Sequence, residues 1–268
     1  MKMWLKITLW SLFGITIIAL GIKIKTDLNA QLLVAPKIVI HVDDENAFIS
    51  ENELLERLKR NNFVFEGQKR EELDIESIEQ FIGSISQVKS VDVFQQINGE
   101  WQIDLYIRKP IARVFNKFGE SFYLDSEGNT MLTTPSHTAR TLVFTGEIKD
   151  KPNSISVTDI INNDSLISIR KLDDIYRISD YVCNDPLFHS MVGQIHLEKN
   201  GDFILVPLVG DQKIIFGTAH SNQEVESKFE KLKIFYTEAI AYEGWTKYAE
   251  ISLKYEDQIV CKKKNTNE

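Results

Sequence analysis

The chain holds 268 residues, 43% hydrophobic and 26% charged, with a formal net charge of −8. A nucleic-acid surface needs clustered Lys and Arg, so this acidic balance excludes that class, and the one basic run, Lys262 to Lys264, reads as a solvated end. Two cysteines, Cys183 and Cys261, cannot build a disulfide framework and sit in no C-x-x-C spacing, so two free thiols are favoured over one bridge.

The N-terminal stretch sets which side of a membrane the chain works on. Ile7 to Ile22 carries no charge and is bracketed by Lys6, Lys23 and Lys25. As a helix this run spans about 24 Å, short of the hydrocarbon core of ~30 Å. Trp4, Leu5 and Ile24 extend it, and the flanking lysines can reach the headgroups. A signal peptide would end in a small-x-small cleavage site, which is lacking after Ile22, and a core helix would keep a polar face. The stretch reads as an uncleaved membrane anchor, residues 7–24, behind a short cytoplasmic tail, 1–6. The lysines are balanced across it and do not fix orientation, but the long polar remainder is placed outside the cytoplasm.

After a short connector, Lys37 to Val42 is β-branched and predicts a strand, followed by an acidic turn at Asp43-Asp44-Glu45. Ser50 and Glu53 form a capping box, with Ile49 and Leu54 as its hydrophobic staple, opening a helix that buries Leu54, Leu55 and Leu58. A second helix fits Asp74 to about Ser84, with Ile75, Ile78, Phe81 and Ile82 on one stripe. Val88 to Gln96 and Trp101 to Lys109 then predict a hairpin. A three-residue loop, Ile97-Asn98-Gly99, pairs Gln95 with Trp101, Val93 with Ile103 and Val91 with Leu105, and this register alone puts the apolar residues of both strands on one face.

From Ile111 onward short strands alternate with turn signals, the texture of an antiparallel β domain. Phe122 to Leu124 runs into the turn Asp125 to Asn129, and Thr141 to Thr145 is a further strand. One helix carries Leu172, Ile175, Ile178 and Val182 and stops at Asn184-Asp185-Pro186. A hairpin, Gly193 to Glu198 with Asp202 to Leu208, precedes a strand at Lys213 to Phe216. A second capping box, Ser221 and Glu224, opens a helix to about Tyr242 with Val225, Phe229, Leu232, Tyr236 and Ile240 inward. The chain finishes in one strand, Tyr248 to Val260.

This order of parts, α+β with an N-terminal transmembrane helix, a small β-α-α-β-β domain and a larger antiparallel β domain with flanking helices, resembles the FtsQ/DivIB family of bacterial cell-division proteins. Arg108-Lys109-Pro110-Ile111-Ala112-Arg113 is similar to that family's inter-domain join, and Tyr123-Leu124-Asp125-Ser126-Glu127-Gly128-Asn129 to its Y-x-D-x-x-G turn. Ile215-Phe216-Gly217 before the long helix and Ile251-Ser252-Leu253-Lys254-Tyr255 near the end continue the match.

The resemblance implies a POTRA domain over 36–109, a β domain over 110–261 and a tail over 262–268. It implies a single-pass protein of the bacterial inner membrane with its C-terminal domains in the periplasm at the septum. There it would be a divisome scaffold, linking early and late division proteins and binding FtsB-like and FtsL-like bitopic partners. The partner strand would add to the terminal strand, at Ile251, Ser252, Leu253, Lys254, Tyr255, Glu256, Asp257, Gln258, Ile259 and Val260. Ser252 stands where the family has an acid, Asp257 and Gln258 where it has small residues, and Asn200 where it has a base. The alternative is a membrane-anchored POTRA-containing binding or assembly module outside the divisome. The sequence lacks a G-x-S-x-G elbow, a P-loop, a G-x-G-x-x-G and any metal spacing, so no catalytic residue, metal, cofactor or small-molecule substrate is expected.

Overall fold

The computed structural model describes residues 2–42, 48–96, 98–135, 137–152, 156–240, 242, 244, 246–256 and 258–264. The acidic turn expected at Asp43-Asp44-Glu45, and Ile97 of the hairpin loop, lie outside the described residues. The chain divides into two compact units, Met1–Ile107 and Arg108–Glu268.

The first unit begins with α1 (Lys2–Asn29), a single uninterrupted helix. Within it Ile7–Asn29 is long and apolar enough to cross a membrane, and none of its apolar window is buried against protein. Exposed apolar side chains on every face are what lipid requires and water penalises, so this helix is compatible with a single-pass anchor.

A three-stranded sheet follows, made of β1 (Lys37–His41), β2 (Val88–Gln95) and β3 (Trp101–Ile107) in the order β1-β3-β2. The hairpin register is the expected one, with Gln95 opposite Trp101, Val93 opposite Ile103 and Val91 opposite Leu105. Gly99 takes the left-handed conformation that closes the bulged loop. Trp101, Ile103, Leu105 and Ile107 alternate inward and are buried.

Two helices supply the rest of this core. In α2 (Glu51–Arg60) Leu54 and Leu58 are fully buried, and in α3 (Ile75–Gly83) Ile78 and Ile82 are. The Ser50 hydroxyl accepts the Glu53 N–H at 3.2 Å, whereas the Glu53 carboxylate turns to Arg57 one helical turn on. The Asp74 carboxylate caps α3 in the same way, accepting the Ser77 N–H at 3.1 Å.

The second unit is built on one nine-stranded sheet. Its strands are β4 (Pro110–Phe115), β5 (Ser121–Asp125), β6 (Thr130–Leu132), β7 (Leu142–Gly146), β8 (Val192–Leu197), β9 (Phe203–Pro207), β10 (Lys213–Gly217), β11 (Tyr248–Ser252) and β12 (Val260–Lys263). They run in the order β12-β11-β10-β9-β8-β7-β4-β5-β6.

The α+β class is as the sequence implies, but the sheet, expected antiparallel, is mixed. β4 with β7, β7 with β8, and β10 with β11 are parallel pairs. Parallel neighbours need a crossover. The connection from β7 to β8 carries α4 (Val157–Ile161), α5 (Asp164–Ile167), α6 (Leu172–Asn184) and α7 (Pro186–Met191), and that from β10 to β11 carries α8 (Asn222–Ile234).

Two helix ends differ from the sequence reading. Asp185-Pro186 ends α6 but also starts α7, because the Asp185 carboxylate accepts the N–H groups of Leu187 and Phe188, and Pro186 is preset for a first helical position. The long helix expected to about Tyr242 is α-helical only to Ile234 and continues as a π-helical stretch, Phe235–Ile240. Its inward residues still come from the expected stripe, with Val225, Phe229, Leu232, Tyr236 and Ile240 all buried.

Candidate functional site

The sequence directs attention to the end of the sheet where β11 and β12 lie. β11 forms because Ile251 can pair inward beside Ile214 of β10, and Leu253 follows with its N–H donated to Ile215 O at 2.8 Å. Both Ile251 and Leu253 are fully buried. β11 is therefore interior to the sheet, flanked by β10 and β12.

The single strand expected over Tyr248 to Val260 is two strands joined by a bend. Ile251 and Ser252 belong to β11, Val260 opens β12, and Tyr255 and Glu256 lie in the bend between, while Asp257 is outside the described residues. The physical cause is the loss of alternation after Leu253, where Lys254, Tyr255 and Glu256 are all exposed. The bend is fastened from α8, whose Lys231 ammonium donates to Tyr255 O at 2.6 Å and Glu256 O at 2.8 Å. Ile259 then packs partly into the core.

Lys254 is held rather than free. Its ammonium lies 2.7 Å from Asp202 Oδ2 in the β8–β9 hairpin turn, and this hydrogen bond, with the attraction of the carboxylate, raises the Lys254 pKa. Its stem runs past Gly217, which has φ +80°, and a Cβ there would sit 3.0 Å from Lys254 Cγ. Asn200, at the position where the sequence lacks the expected base, donates to the same oxygen, Asp202 Oδ2, at 2.8 Å.

Beside this bend lies an open cleft of about 640 Å³, lined by the first turns of α8 and by Leu253, Lys254, Tyr255 and Glu256. Glu224 is one of its lining residues. Burial alone would raise the pKa of that carboxyl, but hydrogen bonds from Lys228, Thr218 and the His220 N–H outweigh it and hold the group below the ordinary range. The Glu224 side of the cleft is thus an ionic, hydrogen-bonded surface.

The outer strand of this end is β12, and no described strand pairs with its far side. The Lys264 N–H donates to Lys247 O at 3.0 Å, facing β11. The pairing irregularity falls at Tyr248/Glu250, where β11 uses two residues for one step of β12, so β12 keeps a plain alternation. Val260 and Lys262 then turn their N–H groups to β11, and Cys261 and Lys263 turn theirs outward. The lysine run read as a solvated tail from residue 262 in fact supplies half of this edge strand.

Family comparison resolves what this arrangement belongs to. Residues 109–262 match the family described as FtsQ/DivIB, C-terminal related, and residues 34–106 match a POTRA-like domain. The first match alone covers more than half of the chain. The chain belongs to the FtsQ/DivIB family. No curated protein matches it. FtsQ/DivIB is a family of non-enzymatic cell-division scaffolds that act through protein–protein contacts.

For an FtsQ/DivIB chain, the residues that sequence reasoning missed are instructive. Cys261, Lys262 and Lys263 lie beyond the strand that the sequence predicts, because a polar basic run carries no strand alternation. Lys231 and Asp202 were missed because nothing local marks them; they act on the bend from elsewhere in the fold. Both thiols are free, and burial raises the pKa of Cys183 and of Cys261.

Proposed function

We propose that this chain is a bitopic divisome scaffold, anchored by α1 with its N-terminus in the cytoplasm and both units in the periplasm at the division septum. It takes a strand from an FtsB-like partner along the outer side of β12, with an FtsL-like protein carried on the same partner, and so links early and late division proteins. The observation that carries this reading is the position of β12: the edge strand at this end among the described strands, inside the family-matched region but for its last residue, with the Cys261 and Lys263 donors turned outward. An edge strand offers main-chain hydrogen bonds for affinity, and its side chains choose the partner.

Lys254, Tyr255, Glu256, Gln258 and Val260 are exposed, and the two large apolar side chains among them, Tyr255 and Val260, are accessible for contact at 52% and 44% exposure. Ile251 and Leu253 serve the core that holds the edge in place. Lys262 and Lys263 beside the outward donors favour a partner strand carrying acids, and they also discourage edge-to-edge self-association. Depleting the protein in its native cell, with a tagged copy to localise it, tests the reading. Filamentous cells and a midcell band are expected. Normal division with a diffuse envelope signal would overturn it in favour of an anchored module with another client.

A further inference from the structure

The segment that leaves α1 is not a free linker. Arg70 N–H donates to Gln31 O at 2.9 Å and Leu33 N–H to Gln68 O at 2.9 Å, with Leu32 bridged to Lys69 between them. The Gln31 side chain reaches Asn98 O at 2.7 Å, and the Trp101 indole N–H reaches Val34 O at 2.8 Å. The first unit is thus bolted to the chain within two to five residues of the helix end at Asn29.

That same corner exposes apolar side chains in a cluster. Leu32, Val34 and Phe65 are 61%, 62% and 47% exposed, and Val34 and Phe65 line one open cleft of about 540 Å³ with Leu33, Ala35 and Val64, a cleft that Lys59, Glu66 and Gln68 also line. The anchor over residues 7–24 leaves five helical residues, or about 7.5 Å, before Asn29. The headgroup layer on one side of a bilayer is about 5–7 Å deep, so Asn29 lies at its outer edge. The charge-free run is also shorter than the hydrocarbon is thick, which draws Lys23 to Asn29 toward the membrane rather than away from it.

We propose that Leu32, Val34 and Phe65 form a membrane-seating patch that rests the POTRA-like unit on the lipid headgroup region at the exit of its own anchor. The occupant is the bilayer surface, because the tether permits no other body of comparable size between the patch and the lipid. The patch fixes the height and tilt of the unit above the membrane. The inference rests on the reading of α1 as an anchor.

The test uses the unmodified full chain in nanodiscs of phosphatidylethanolamine and phosphatidylglycerol that contain a lipid with a diazirine near its headgroup. After photolysis, adducts are located by mass spectrometry. Adducts are expected in the span and also in the peptides holding 32–35 and 63–66, and several-fold fewer at Tyr106. That residue lies five positions along β3 from Trp101, roughly 17 Å from the patch end of the strand. Adducts in the span alone overturn the seating patch and leave the anchor standing. Absence of adducts in the span overturns the anchor reading and the patch with it. Val34→Ser with Phe65→Ser should then lose the adducts at 63–66 while span labelling stays unchanged; persistence of the 63–66 adducts would overturn the assignment to these side chains.

Discussion

Arg108 and Asp125, separated by 17 positions, meet through a hydrogen bond of 2.7 Å between the guanidinium and Asp125 Oδ2. The same carboxylate shapes its own turn, with Oδ1 accepting the N–H groups of Glu127 at 2.9 Å and Asn129 at 2.7 Å. The two segments that mark the family in sequence, the basic join and the Y-x-D-x-x-G turn, are therefore one contact in the fold. Asp125 is 1% exposed, so removing its cation leaves a buried charge held only by turn amides. Arg108→Ala should cost about 3 kcal/mol of stability in the second unit, the low end for breaking a buried pair. Loss of amide-exchange protection in β4 and β5 reads it, and unchanged protection would show that the turn amides suffice.

At Ser50 the expected change is smaller. Its hydroxyl satisfies one otherwise unpaired N–H at the start of α2, and Ser50→Ala should destabilise the first unit by about 0.5–2 kcal/mol. Because Glu53 pairs with Arg57 and not back to the cap, Glu53→Gln should cost less than Ser50→Ala. Thermal melts of the two variants settle the order.

What could be read in advance follows from the range over which each signal acts. The register of β2 on β3 was legible because a one-residue slip would set Val91 and Val93 beside Tyr106 and Asp104 and break up the shared apolar face, and the caps at Ser50, Asp74 and Ser221 are decided within four residues. The order of the nine strands was not, since the parallel pairing of β7 with β8 depends on a crossover through four helices. Three of those, α4, α5 and α7, are too short to show periodicity. The edge strand was obscured for a different reason: Cys261 to Lys263 pairs by main chain, and its side chains give no period of two.

Asp150 carries a pH dependence whose sign can be worked out. It is 1% exposed, accepts the Lys171 N–H at 3.1 Å, lies 3.6 Å from the Arg170 guanidinium, and faces the negative charge of Asp173. Burial is the largest influence and raises its pKa above the ordinary 3.8. As pH rises past 3.8 the unfolded chain releases this proton first, so the stabilising contribution is full below that value and is lost as pH rises through the folded one. Asp150→Asn should remove that loss and leave the second unit at neutral pH at least as stable as the native chain. Amide exchange in β7 across pH measures it. A neutral-pH loss above about 2 kcal/mol would mean that a charged Asp150 is held by Arg170.

The strand-addition reading makes its sharpest prediction at Lys263. Proline removes a backbone N–H and fixes φ, and an edge strand tolerates it only where that N–H points away from its neighbour. By the alternation set at Lys264, Lys263 is such a position, whereas the Lys262 N–H faces β11. Lys263→Pro should therefore leave the second unit folded and weaken binding of the FtsB-like partner by roughly tenfold or more, the equivalent of one lost main-chain bond of about 1.5 kcal/mol. Lys262→Pro should unpair β12 from β11 and lower stability as well as binding. Tyr255→Pro falls in the bend held by Lys231 and should affect binding less than Lys263→Pro. Equal affinity of the Lys263→Pro and native chains, with β12 still protected from exchange, would place the partner elsewhere on the domain.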